Sequence, residues 1–121
     1  MNKYIVVTSI FPPTEAVKKF SENSNYKFIV VGDAKSPSDW RFQDVNYFSL
    51  VRQEALDFEL VKKLPLNHYC RKMIGYLAAM SDAEIIVDTD DDNIPKDSWT
   101  FPDPNLRYRS LTGAGFINIY Q

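Results

Sequence analysis

Glu84-Ile85-Ile86-Val87-Asp88-Thr89-Asp90-Asp91-Asp92-Asn93 passes abruptly from an apolar run to a cluster of aspartates. A short continuous apolar run closed by polar residues fits a strand buried on both faces, as in parallel sheets covered by helices. Such sheets bind ligands at the carboxyl ends of their strands. The acids stand at that end of this strand.

Upstream, Tyr4-Ile5-Val6-Val7 is a second run of this kind, exiting into Thr8-Ser9 and stopped by Pro12-Pro13. Lys27-Phe28-Ile29-Val30-Val31 is a third, closed by Gly32-Asp33, and Val45 to Phe48 is expected to be a further short strand. Between them lie helical patterns. Thr14 to Phe20 has Pro13 near its first turn, with Val17 and Phe20 facing inward. Ser49 can cap a helix reaching Leu56. Asn67 can cap a helix from His68 to Met80, where Tyr69, Met73, Tyr76, Leu77 and Met80 recur at helical spacing and are expected to face the core. Phe116 to Tyr120 is expected to be a further strand. Strands alternating with helices predict an α/β domain with a mainly parallel sheet, and residues 1–121 are expected to form one domain. The exits Thr8-Ser9, Gly32-Asp33 and Asp88 onward would then share one edge.

Composition narrows the function. The chain has 121 residues, 45% of them hydrophobic, enough for a folded core. Its net charge is −2, which gives no general attraction for nucleic acid or acidic membranes. The acidity is local instead, concentrated between Asp82 and Asp92. The single cysteine, Cys70, excludes an internal disulfide and a zinc site built on cysteine pairs. No stretch approaches the ~20 apolar residues of a membrane span, and a cytoplasmic location is expected, with an anchor elsewhere in a longer parent left open.

Crowded carboxylates repel. Two like charges ~4 Å apart cost about 1 to 4 kcal/mol, depending on the effective dielectric. A cation removes that cost, and oxygen-only ligands suit Mg²⁺, Mn²⁺ or Ca²⁺. A solvated acidic loop is the plainer alternative, but the position directly after a buried strand favours the metal. A calcium loop of the EF-hand type would need Gly and Glu where Asn93 and Trp99 stand. The haloacid-dehalogenase phosphatases place their Asp-x-Asp after the first strand, which here ends in Thr8-Ser9 and carries no acid. A nucleotide-sugar transferase places its Asp-x-Asp after an interior strand, as here.

With these pieces in place, the chain resembles the STELLO-type glycosyltransferase-like proteins and, more distantly, the UDP-arabinopyranose mutases, or reversibly glycosylated polypeptides. The resemblance rests on Val7 to Thr14, Val30 to Pro37, Tyr69 to Leu77 and Asp88 to Asn93. It implies a GT-A fold, Rossmann-like, binding a nucleotide diphosphate sugar (a UDP-sugar) with Mn²⁺ or Mg²⁺. By the same resemblance Thr8 and Ser9 face the nucleoside, Asp33 reads the base, and Asp88 lies towards ribose and metal. Asp90 ligates the metal, and Asp92 is a second metal candidate. Arg71 and Lys72 fall on the polar side of the His68 to Met80 helix, where position alone favours a solvated face; the resemblance places this helix beside the nucleotide, with Arg71 within reach of the diphosphate or an acid of the cluster. GT-A enzymes are usually about twice this length, so the chain is expected to be either a fragment or a reduced protein that binds without turnover. No catalytic base is assignable. A non-catalytic nucleotide-sugar module and a metal-dependent phosphohydrolase are the alternatives, in that order.

Gly75 inside a helix costs ~1 kcal/mol relative to Ala and signals a close backbone approach, most simply for packing. Lys35 is expected on the surface, His68 structural or exposed, and Cys70 packed. Trp40 and Trp99 suit core packing at least as well as stacking on a ligand. Gly113-Ala114-Gly115 is too short for a phosphate loop.

Overall fold

Val6, Val7, Val30 and Val31 are wholly shielded from solvent, and they mark the centre of a parallel sheet. The computed structural model describes residues 1–23, 25–101, 103–107, 109 and 113–115. In chain order its elements are β1 (Lys3–Thr8), α1 (Glu15–Ser21), β2 (Lys27–Val31), β3 (Val45–Phe48), α2 (Leu50–Ala55) and α3 (Glu59–Lys63). A 3-10 turn (Tyr69–Arg71), α4 (Lys72–Ala79) and β4 (Ile85–Asp88) follow. The sheet order is β3-β2-β1-β4, and every pairing is parallel. The expected α/β, Rossmann-like architecture is present. The strand expected at Phe116 to Tyr120 lies outside the described residues.

Alternation along each strand builds two cores. Tyr4, Val6, Ile29 and Val31 face Ile74 and Ala79 on one side. Ile5, Val7, Phe28 and Val30 face Val17, Phe20 and Trp40 on the other. Burying one such aliphatic side chain is worth about 1.5–3 kcal/mol, so β1 and β2 dominate the stability. The helices are too short to persist alone and depend on this packing. Among the described residues no helix is long and apolar enough to cross a membrane.

Two helix starts follow the sequence. The Thr14 side chain accepts from the Val17 N–H at 3.2 Å and caps α1. Ser49 caps α2 in the same way through the Arg52 N–H. The third is different. The segment expected as one helix from His68 opens as a 3-10 turn, and its cap is the His68 ring, which accepts from the Cys70 N–H at 3.1 Å. Asn67 instead takes a left-handed backbone, with φ 53°.

The buried face of α4 also corrects the expectation. Ile74, Gly75 and Ala79 face the sheet, while Tyr69, Met73 and Met80 are exposed. The cause is the approach at Gly75. A Cβ there would meet Val6 Cγ1 at 2.5 Å and Val31 Cγ2 at 2.8 Å. Only the side of the helix with small residues can sit this close to β1 and β2, so the larger side chains turn outward.

Trp40 and Trp99 are both packing residues. Trp40 stacks on Tyr47 with ring centroids 4.3 Å apart and donates its indole N–H to the Phe11 carbonyl at 2.8 Å. Trp99 meets Phe20 edge-on at 5.4 Å in an aromatic cluster with Tyr26 and Phe101. His68 is exposed and Cys70 half-buried.

Candidate functional site

The chain runs from β1 to β2 to β3 in one direction and then returns to place β4 on the other side of β1. The strand order therefore reverses at β1, and the crevice beyond the carboxyl ends of β1 and β4 is the switch point where open parallel sheets take ligands. Thr8-Ser9 leaves β1 there, and Asp88 ends β4 there.

A cleft of about 340 Å³ occupies this place. Its walls are Thr8 to Phe11, Asp33, Asn67 to Tyr69 and Asp90 to Asp92. Of the residues expected at the site, it gathers Thr8, Ser9, Asp33, Asp90 and Asp92. A larger cavity, about 610 Å³, lies at the opposite edge beside Lys27, Asp44 and Asn46, away from the strand exits.

Side-chain hydrogen bonds join the exits into one rim. The Ser9 hydroxyl donates to the Asp91 carboxylate at 2.5 Å and accepts from the Phe11 N–H at 3.2 Å. The Thr14 hydroxyl donates to the Asp91 carbonyl at 2.5 Å. Ser36 donates to the Ser9 carbonyl and accepts from the Asp33 N–H, each at 2.8 Å. The Thr8 hydroxyl donates to the Val31 carbonyl at 2.9 Å, across the β1–β2 seam. Asp91 is the residue that sequence reasoning left without a role. Nothing in its spacing distinguishes it from its neighbours; only the folded turn brings it to Ser9.

Asp33 is buried and fully engaged by the backbone. One carboxylate oxygen accepts from Ala34 and Asn67, both at 2.7 Å, and the other from His68 at 3.0 Å. It fixes the 67–68 corner that forms one wall of the cleft.

Arg71 departs from its expected place on a polar helix face. It is buried, with 3% of its surface exposed, and stands outside the cleft lining. Its Nε and Nη2 donate to Gln53 Oε1 at 3.1 and 2.7 Å, and Nη1 donates to the Leu64 carbonyl at 3.2 Å. Gln53, itself buried, donates onward to the Gly32 and Phe48 carbonyls at 2.9 and 2.8 Å. This network pins α2 and the 3-10 turn to the ends of β2 and β3.

Lys72, beside it, goes to the acids. Its ammonium lies 2.7 Å from Asp88 Oδ1, 2.9 Å from Asp90 Oδ1 and 2.9 Å from the Thr89 carbonyl. Burial pulls its pKa down, but the hydrogen bonds to Asp88 and Asp90 outweigh this, and the net shift is upward from 10.5. Nearby, burial first and then the Asp88 carboxylate push the Tyr76 phenol up to about 12.

The expected trio of Asp88, Asp90 and Asp92 is not brought together. Asp88 and Asp90 converge on Lys72, Asp91 turns in to Ser9, and Asp92 is exposed and takes no part in the Lys72 contacts. The turn closed by the Asn93 N–H on the Asp90 carbonyl, 3.3 Å, separates these neighbours. Among the described residues no three His, Cys, Asp or Glu side chains form a metal-binding group. The donor chemistry at Asp88, Thr89 and Asp90, all oxygen, is nonetheless that of a hard divalent cation.

The fold and rim define an α/β, Rossmann-like sheet with an acid-lined crevice at its switch point. No family model matches the chain. Over 90 residues, 74% of its length, it is 32% identical to two proteins of Arabidopsis thaliana, "Probable glycosyltransferase STELLO2" and "Probable glycosyltransferase STELLO1". Over these 90 residues the chain is a relative of the STELLO-type glycosyltransferase-like proteins. The match spans 12% of the length of each of these relatives.

Proposed function

We propose that this chain is the part of a glycosyltransferase-like protein that binds a nucleotide diphosphate sugar, a UDP-sugar, in the cleft beyond β1 and β4. The observation that carries the reading is the joined rim: the exits of β1 and β2 and the acid loop after β4 are hydrogen-bonded around one crevice. The relatedness to probable glycosyltransferases supports it.

On this reading the backbone from Thr8 to Phe11 takes the nucleoside side, and Asp33 acts by holding the 67–68 wall. Asp88 and Asp90 are the acids whose oxygens converge, and they would hold Mn²⁺ or Mg²⁺. A metal bound there would neutralise charge on the departing diphosphate. The transfer reaction belongs to the whole protein in this proposal, and acceptor binding is assigned to none of these residues.

Calorimetry of the 121-residue chain with UDP, UMP and uridine, each with and without Mn²⁺, tests the reading. UDP is expected to bind more tightly than UMP, and Mn²⁺ to increase the difference. An absence of heat with UDP, in the presence and absence of Mn²⁺, would overturn it.

A further inference from the structure

Lys72 is the first residue of α4, where the positive end of the helix disfavours a cation. Its side chain is also largely buried, 12% exposed, against 59% and 65% for Asp88 and Asp90. What holds it there is a nest of three oxygens from consecutive residues, and an ammonium has three N–H groups to match them. The repulsion between Asp88 and Asp90 is thus already relieved by a cation belonging to the chain.

We propose that Lys72 and a divalent metal compete for these three oxygens, so that Lys72 acts as an internal lock setting the metal affinity of the acid loop. This rests on the nucleotide-sugar reading above and adds a means of regulation to it. The physical ground is exclusion. Two cations drawn to the same three oxygens would stand within about 3–4 Å of each other, and at that range like charges repel strongly enough to prevent joint occupancy. A metal therefore enters only as the Lys72 ammonium leaves.

Mn²⁺ titrations followed by electron paramagnetic resonance, with no nucleotide present, test this on the wild-type chain, Lys72→Met, Lys72→Gln and the double variant Lys72→Met/Asp90→Asn. Both single variants are expected to bind Mn²⁺ about tenfold or more tightly than the wild type, and the double variant to lose that gain. On the wild type, acetylation of Lys72 by acetic anhydride, read by mass spectrometry, is expected to be slow without metal and to accelerate as Mg²⁺ is raised to saturation. Affinities that do not rise in either single variant would overturn the lock. So would a double variant that binds as tightly as Lys72→Met, or Lys72 labelling that stays unchanged while metal binds. Should the variants not fold, the wild-type labelling decides alone. Failure here leaves UDP binding as measured by calorimetry untouched, and failure of UDP to bind leaves these titrations interpretable.

Discussion

The carboxylate of Asp33 meets the backbone N–H of Asn67 at 2.7 Å, across thirty-four residues of chain. With its bonds to Ala34 and His68, this makes a residue expected to read a ligand into an anchor for the cleft wall. Asp33→Ala should lower stability by about 2 kcal/mol, because three backbone N–H groups lose a charged acceptor. Urea unfolding measures this. Unchanged stability with abolished UDP binding would instead return Asp33 to the ligand.

Gly75→Ala sets two effects against each other. Alanine gains about 1 kcal/mol in helix propensity. Its Cβ, however, would lie 2.5 Å from Val6 and 2.8 Å from Val31, both rigid β-branched side chains in the core. Overpacking of this kind costs about 1–3 kcal/mol, so we expect a net loss of stability and a lower melting temperature. A stabilised Gly75→Ala protein would contradict the close approach of α4 to the sheet.

Gln53→Leu removes the acceptor of two Arg71 donors and the donor to two carbonyls. A buried guanidinium left without two of its three hydrogen bonds is costly, and the loss should be about 3 kcal/mol. Denaturation of the variant checks the magnitude. A change within 0.5 kcal/mol would show that the network carries little, on the usual ~0.5 kcal/mol scale for neutral surface changes.

Tyr26 and Tyr76 are pushed up from 10.0 to about 12, Tyr26 by burial and Tyr76 by burial and then the Asp88 carboxylate. The folded state holds these protons more tightly than the unfolded chain. Their contribution to stability is complete below pH 10 and is lost as the pH rises through about 12. Absorbance at the phenolate band should show late-titrating phenols that Tyr26→Phe and Tyr76→Phe each reduce by one. Coincident titration of all phenols near their ordinary value would contradict the burial.

The two central strands, β1 and β2, were legible because both of their faces are buried, which leaves uninterrupted apolar runs in Tyr4 to Val7 and Phe28 to Val31. The polar exits were legible for the same reason. The helix after Asn67 misled, because its apolar stripe of Tyr69, Met73 and Met80 is exposed and the helix buries Gly75 instead. Periodicity reports a face, but a close approach can select a different one by size. Arg71 and Lys72 show the other limit. Adjacent cations on one segment went separate ways, one to Gln53 and one to the acids, and only the fold decides which partner each can reach. The α3 helix at Glu59–Lys63 carries too short a pattern to be recognised.

Nuclear magnetic resonance of the ¹⁵N-labelled chain during titration with UDP tests the placement of the site most directly. The account predicts that amide shifts concentrate at Thr8 to Phe11, Asn67 to Tyr69 and Asp90 to Asp92. Shifts confined to Tyr26, Lys27 and Asp44 to Asn46, at the opposite edge of the sheet, would contradict it.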